Sequence, residues 1–93
     1  MEVQHQIFES KGLFFIEKDK KKLAKMTYSK AREDMFIIDH TEVAEALRGT
    51  GAGKRMVMAA VNYARENNLK ILPLCPFAKS VFDKTEAIRD VLK

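Results

Sequence analysis

The 93-residue sequence holds a single cysteine, so no disulfide can close within it. With only two histidines beside that cysteine, a four-ligand zinc site of the usual kind is excluded as well. No run approaches the roughly 18 apolar residues that a membrane helix needs, which makes a soluble domain without a membrane partner the expectation. The first ten residues, MEVQHQIFES, carry neither a basic leader nor an apolar secretory stretch, so a reducing cytoplasm is the expected compartment. Four glycines and two prolines are too few for a collagen-like repeat, and 46% hydrophobic residues are too many for a disordered tail.

What is present fits one small globular domain over residues 1–93, with a real but thin core that buries about 60–65% of the unfolded surface. Seventeen Lys and Arg against 13 Asp and Glu leave a net charge of +4, which favours an anionic partner. The basic run from Lys18 to Lys22 lacks the interleaved aromatics or basic helix face of a nucleic-acid site. It is expected to keep a hairpin tip soluble, and no nucleic-acid partner is expected.

The first half of the chain reads as strands joined by polar turns. Glu9-Ser10-Lys11-Gly12 is a turn between Phe8 and the apolar run Leu13-Phe14-Phe15-Ile16, which has high strand propensity. Polar residues from Glu17 to Lys22 lead into an alternating segment over Leu23 to Tyr28, and a second turn over Ser29 to Asp34 precedes a long strand over Met35 to Val43. Such short connections predict an antiparallel meander, because parallel neighbours need crossovers of a dozen residues or more. From Lys54 to Asn67 the pattern changes: Met56, Val57, Ala60, Val61 and Ala64 share one helix face, and Asn67-Asn68 stops the helix. Leu69 to Leu74 predicts a short strand ending at proline. One or two terminal helices follow, with Phe77, Val81, Ile88, Val91 and Leu92 turned inward.

Strand, glycine-rich loop and helix in this order carry the chemistry. Gly49, Gly51 and Gly53 let a ligand approach the backbone, and the first helical turn offers unpaired amides with partial positive charge. That combination suits an anion, best a phosphate. The loop is neither a Walker loop, since GxxxxGK[ST] is absent, nor a dinucleotide fingerprint, since the third glycine is misplaced.

Arg48-Gly49-Thr50-Gly51-Ala52-Gly53 resembles the Q/R-x-x-G-x-G/A signature of the GNAT superfamily of acetyl-coenzyme A-dependent N-acetyltransferases. The ordered set of His40-Thr41-Glu42-Val43, the glycine loop and Pro73-Leu74-Cys75-Pro76-Phe77 looks like its small single-domain branch, the YjdJ-type family. The resemblance implies a compact α/β fold, α+β in character: a mainly antiparallel sheet with a splayed parallel strand pair at its centre, one main helix after the glycine loop and a C-terminal helix. It also implies acetyl-coenzyme A as cofactor, with transfer of the acetyl group to a primary amine on a small molecule or a protein. The backbone of Arg48, Gly49, Thr50, Gly51, Ala52, Gly53 and Lys54 would cradle the coenzyme A pyrophosphate. Thr41, Glu42 and Val43 would pair with the pantetheine arm as another strand, and Cys75 would lie near the thioester.

Individual residues have bland readings beside these. His40 and Glu42, two apart on a strand, share a face. A carboxylate or imidazole there would take the proton of the attacking amine, and Glu42 is the first candidate; both residues also fit a solvated strand end. Cys75 is either a small buried hydrophobe or, at a helix start beside a thioester, a nucleophile. Lys54 and Arg55 would meet cofactor phosphates, the 3′-phosphate included, or stay solvated. Two other readings of the chain are a non-catalytic coenzyme A sensor and an interaction domain that binds through its basic hairpins.

Overall fold

Asp19 and Lys20 both take left-handed backbone angles, φ 53° and 66°, as the tightest hairpin turns require. In the computed structural model, which describes residues 1–93, these two residues alone join β2 (Lys11–Lys18) to β3 (Lys21–Arg32). The polar run expected as a turn from Glu17 to Lys22 is therefore mostly strand. Polarity there reports solvent on a protruding ribbon, which a strand tolerates as readily as a loop.

A short first strand, β1 (Gln4–Ile7), precedes these, and β4 (Met35–Val43) follows. The helix α1 (Ala52–Glu66), the strand β5 (Lys70–Pro73) and the helix α2 (Pro76–Lys84) complete the order, with 3-10 turns at Glu45–Leu47 and Glu86–Val91. No helix is long and apolar enough to cross a membrane. The sheet runs β1-β2-β3-β4-β5, antiparallel except for the parallel pair of β4 and β5. That pair lies at one edge of the sheet, a correction to the central position expected. β3 already occupies one side of β4, so the crossover through α1 can place β5 only outside it.

Both helices pack into one core of 21 buried residues. Phe14, Met26, Phe36 and Ile38 of the sheet meet Met56, Val57, Ala60 and Val61 of α1 and Ala78 and Phe82 of α2 there. The expected stop of α1 is made by two asparagines. Asn67 Nδ2 donates to the Tyr63 carbonyl at 2.9 Å, and Asn68 turns left-handed with φ 54°. Arg65 donates two bonds to Asp90 at 2.7 and 3.0 Å and one to the Ala87 carbonyl at 2.9 Å, tying the last 3-10 turn to α1. Of the residues expected to face inward, Val81, Ile88 and Val91 do, Leu92 is half-buried, and Phe77 is 41% exposed. The reason is that Phe77 lies over the start of α1 instead of inside the core.

Under the first two strands lies an aromatic cluster. His5 stacks on Phe14 with ring centroids 4.0 Å apart and hydrogen-bonds the Tyr28 hydroxyl at 2.7 Å. Burial, with Tyr63 nearby, pushes the Tyr28 hydroxyl up to about 12. Gly12 faces Tyr28 across the strand pair, and a side-chain carbon at residue 12 would overlap the Tyr28 ring. Gly12→Ala is expected to destabilise the fold by about 2–3 kcal/mol, measured by urea denaturation. His5 is held below its ordinary value by burial, so the native state binds fewer protons than the unfolded chain near pH 6. The His5 contribution is then fully present above the unfolded value of 6.5 and is lost as pH falls through that value toward the lower native one. The urea midpoint is expected to drop between about pH 7.5 and about pH 5.5, and to drop less in His5→Gln.

Candidate active site

β4 and β5 pair in parallel only from Met35 with Lys70 to Ile38 with Pro73. The N–H groups of Leu74 and Cys75 then both reach back to the Ile38 carbonyl at 3.2 Å, and the chain turns away into α2. Pro76 takes the first helical position, where a missing N–H costs nothing. β4 runs on alone. At this level it also carries an extra residue: Tyr28 pairs with Ile38 and Thr27 with His40, so Asp39 is bulged out, and its carboxylate accepts a bond from the Ser29 hydroxyl at 2.7 Å.

Past the bulge the faces of β4 exchange. Thr41 and Val43 pair with Met26 and Ala24 and share their helix-side face, while His40 and Glu42 turn to the opposite, open face. Ala44 N–H donates across to Leu23 on β3 at 2.7 Å. Alternation along the strand then turns the N–H and C=O of Val43 and Thr41 toward the edge that β5 has left.

A cleft of about 530 Å³ opens beside this edge. Val43 and Leu47 form its inner end, the loop and helix start from Arg48 to Lys54 one wall, and α2 the other. The N–H groups of Gly49, Gly51, Ala52, Gly53 and Lys54 have no partner in the chain, the first helical bond being from Arg55 N–H to the Gly51 carbonyl at 2.9 Å. Three cations, Arg48, Lys54 and Lys84, line the cleft, and no carboxylate does. Unpaired amides at a helix start, with cations and no competing anion, fit a pyrophosphate.

The three glycines of the loop are glycine for two reasons. Gly49 and Gly51 are left-handed, with φ 75° and 82° and open space where a side chain would stand. Gly53 has no such angle; a side-chain carbon there would overlap the Phe77 ring. Its glycine therefore serves the packing of α2 on α1.

The other expected site residues separate into groups. Thr50 turns its hydroxyl to the Leu47 carbonyl and lies outside the cleft lining. Arg55 faces a neighbouring hollow that holds Met1 and Met58. Cys75, 6% exposed, stands beside Thr41, with Sγ donating to Oγ1 at 3.3 Å. Burial alone would raise its thiol, but once the proton is lost the Thr41 hydroxyl can turn to donate to the thiolate, and this with the backbone of Ala78 and Phe77 at the start of α2 outweighs burial and lowers it. Glu42 and His40 are exposed on the other face of β4, and the Glu42 carboxylate lies 3.5 Å from Lys25 Nζ. The structure thus brings Cys75 and Thr41 together, keeps His40 and Glu42 together, and puts β4 between the two pairs. Sequence reasoning missed the α2 wall. The spacing of Phe77, Ser80, Val81 and Lys84 on one helix face is the signal that marks it.

The family model described as GCN5-related N-acetyl-transferase matches residues 13–91. The chain belongs to that family. Membership makes it an acetyl-coenzyme A-dependent acetyltransferase. Among solved structures, a GCN5-like candidate N-acetyltransferase from Staphylococcus aureus is 38% identical, with a TM-score of 0.75 over 97% of this chain and 87% of that one. A ribosomal-protein-alanine N-acetyltransferase from Brucella melitensis biovar Abortus shares the fold at 15% identity, with a TM-score of 0.70 over 83% of this chain and 62% of its own. So does a Clostridium acetobutylicum protein classed as an acetyltransferase and solved with acetyl-coenzyme A, at 19% identity and a TM-score of 0.64 over 80% of this chain and 55% of that one. No curated protein matches the chain.

Within this acetyltransferase the contact of Gly53 with Phe77 makes a measurable prediction. Gly53→Ala is expected to cost about 1–3 kcal/mol in the native background. In a Phe77→Ala background the same change is expected to be neutral or stabilising by up to about 1 kcal/mol, since alanine is the better helix former. A double-mutant cycle by chemical denaturation measures the difference.

Proposed function

We propose that this GCN5-related acetyltransferase, a small member of the YjdJ type, binds acetyl-coenzyme A in the cleft beside β4 and transfers the acetyl group to a primary amine by direct attack. The observation that carries the reading is the set of five unpartnered amides from Gly49 to Lys54, in a cleft with three cations and no carboxylate. Acetyl-coenzyme A supplies an activated thioester. The residues of the chain hold and orient it: amides of the loop and of the first turn of α1 take the pyrophosphate, with Arg48 and Lys54 adding charge. The backbone of Thr41 and Val43, facing the edge that β5 has left, takes the pantetheine arm as an added strand takes its neighbour. In this pose the Val43 amide donates to the thioester carbonyl oxygen as negative charge develops there.

Glu42 is the candidate base and His40 the residue beside it on the same face. Their side chains stand on the open face, so the acceptor amine approaches from that side and loses its proton to Glu42 directly or through a water. Cys75 lines the thioester end from the helix side. Its lowered thiol and its contact with Thr41 favour a second reading, in which the acetyl group passes through Cys75.

Titration with acetyl-coenzyme A is expected to move the backbone NMR signals of Gly49, Gly51, Ala52, Gly53, Lys54, Thr41 and Val43. Glu42→Gln is expected to lower kcat by about 100-fold against an amine panel while leaving cofactor affinity unchanged. Cys75→Ala is expected to keep turnover. Acetylation of Cys75 seen by mass spectrometry, together with an inactive Cys75→Ala, would replace direct attack by the covalent route. Cofactor binding with no transfer to any amine would leave a coenzyme A sensor.

A further inference from the structure

The two walls of the cleft differ in what they offer an anion. One presents backbone amides, and the other is the face of α2 that carries Phe77, Ser80, Val81 and Lys84. Ser80 turns its hydroxyl back to the Phe77 carbonyl at 2.6 Å, so the polar side chains left on that wall are Lys84 and Thr85, and of these only Lys84 carries a charge. Lys84 has no ion pair or hydrogen bond in the chain, whereas Lys79 on the same helix is paired with Asp83 at 3.3 Å. Seven residues separate Phe77 from Lys84, about 10 Å along the helix axis and away from Cys75.

We infer that Lys84 is the contact for the 3′-phosphate of coenzyme A and lets the protein distinguish coenzyme A from its 3′-dephospho form. The inference rests on the coenzyme A reading above. Coenzyme A carries two separate anionic groups, a diphosphate and a phosphate monoester set off from it by the ribose. The loop amides and Lys54 answer the first. A monoester carries close to two charges at neutral pH and needs a cation of its own, clear of the diphosphate. Arg55 faces the hollow beside Met1, and Arg48 lies 3.6 Å from Glu45. Lys84 stands unpaired in the same cleft, on the wall opposite the amides and about 10 Å along α2 from Phe77, the residue that meets Gly53.

Calorimetry with coenzyme A and with 3′-dephospho-coenzyme A tests this on the native chain, Lys84→Gln and Lys54→Gln. The native chain is expected to prefer coenzyme A by roughly fivefold to tenfold. Lys84→Gln is expected to bind both forms equally, at about the native affinity for the dephospho form, and Lys54→Gln to weaken both while keeping the preference. A native chain without preference, or a Lys84→Gln variant that retains it, overturns the assignment and leaves the coenzyme A reading standing. Failure of the native chain to bind either form removes both.

Discussion

The bond from the Ser29 hydroxyl to the Asp39 carboxylate holds one surplus residue in β4, and the arrangement of the site depends on that residue. Side chains alternate along a strand with a period of two, so an unbulged β4 would carry His40 and Glu42 on the face of Phe36 and Ile38, inside the core. The bulge shifts the count by one. Thr41 and Val43 come to the helix side, where Thr41 meets Cys75, and the two ionisable side chains go to solvent. The same point is where β5 ends its pairing, so the inversion of faces and the opening of the β4 edge coincide.

A second contact gives the opening its far wall. Phe77 crosses the first turn of α1 at Gly53, and this approach of two helix starts sets α2 beside the amides of the glycine loop. Bulk added at residue 53 therefore acts on the α2 wall as well as on the backbone. The rest of the molecule holds these parts still. The continuous core anchors α1 against the sheet, the His5–Tyr28 cluster fixes the first strands, and Arg65 with Asp90 returns the chain end to α1.

Much of the fold is legible in residue order. The one-sided pattern of Met56, Val57, Ala60, Val61 and Ala64 marks α1 because a helix on a sheet must bury one stripe, and those residues are all buried. Asn67-Asn68 and Pro76 mark ends because their backbone preferences are local. Less legible was the turn between β2 and β3, where six polar residues narrowed to two. Phe77, a large apolar residue after a proline, reads as core. Its exposed position over Gly53 depends on where another helix begins, which neighbouring residues do not encode.

The local sequence determined the glycine loop and its amides: left-handed angles at Gly49 and Gly51 and an unpaired helix start follow from glycine's freedom and from the four-residue reach of helical bonding. Tertiary structure alone decided which face of β4 each candidate side chain takes, where the parallel pair sits, and that Lys84 shares a cleft with Lys54. Those outcomes turn on a single-residue register shift and on contacts between segments roughly 25 to 35 residues apart, and a strand's alternation carries no mark of where its count is broken.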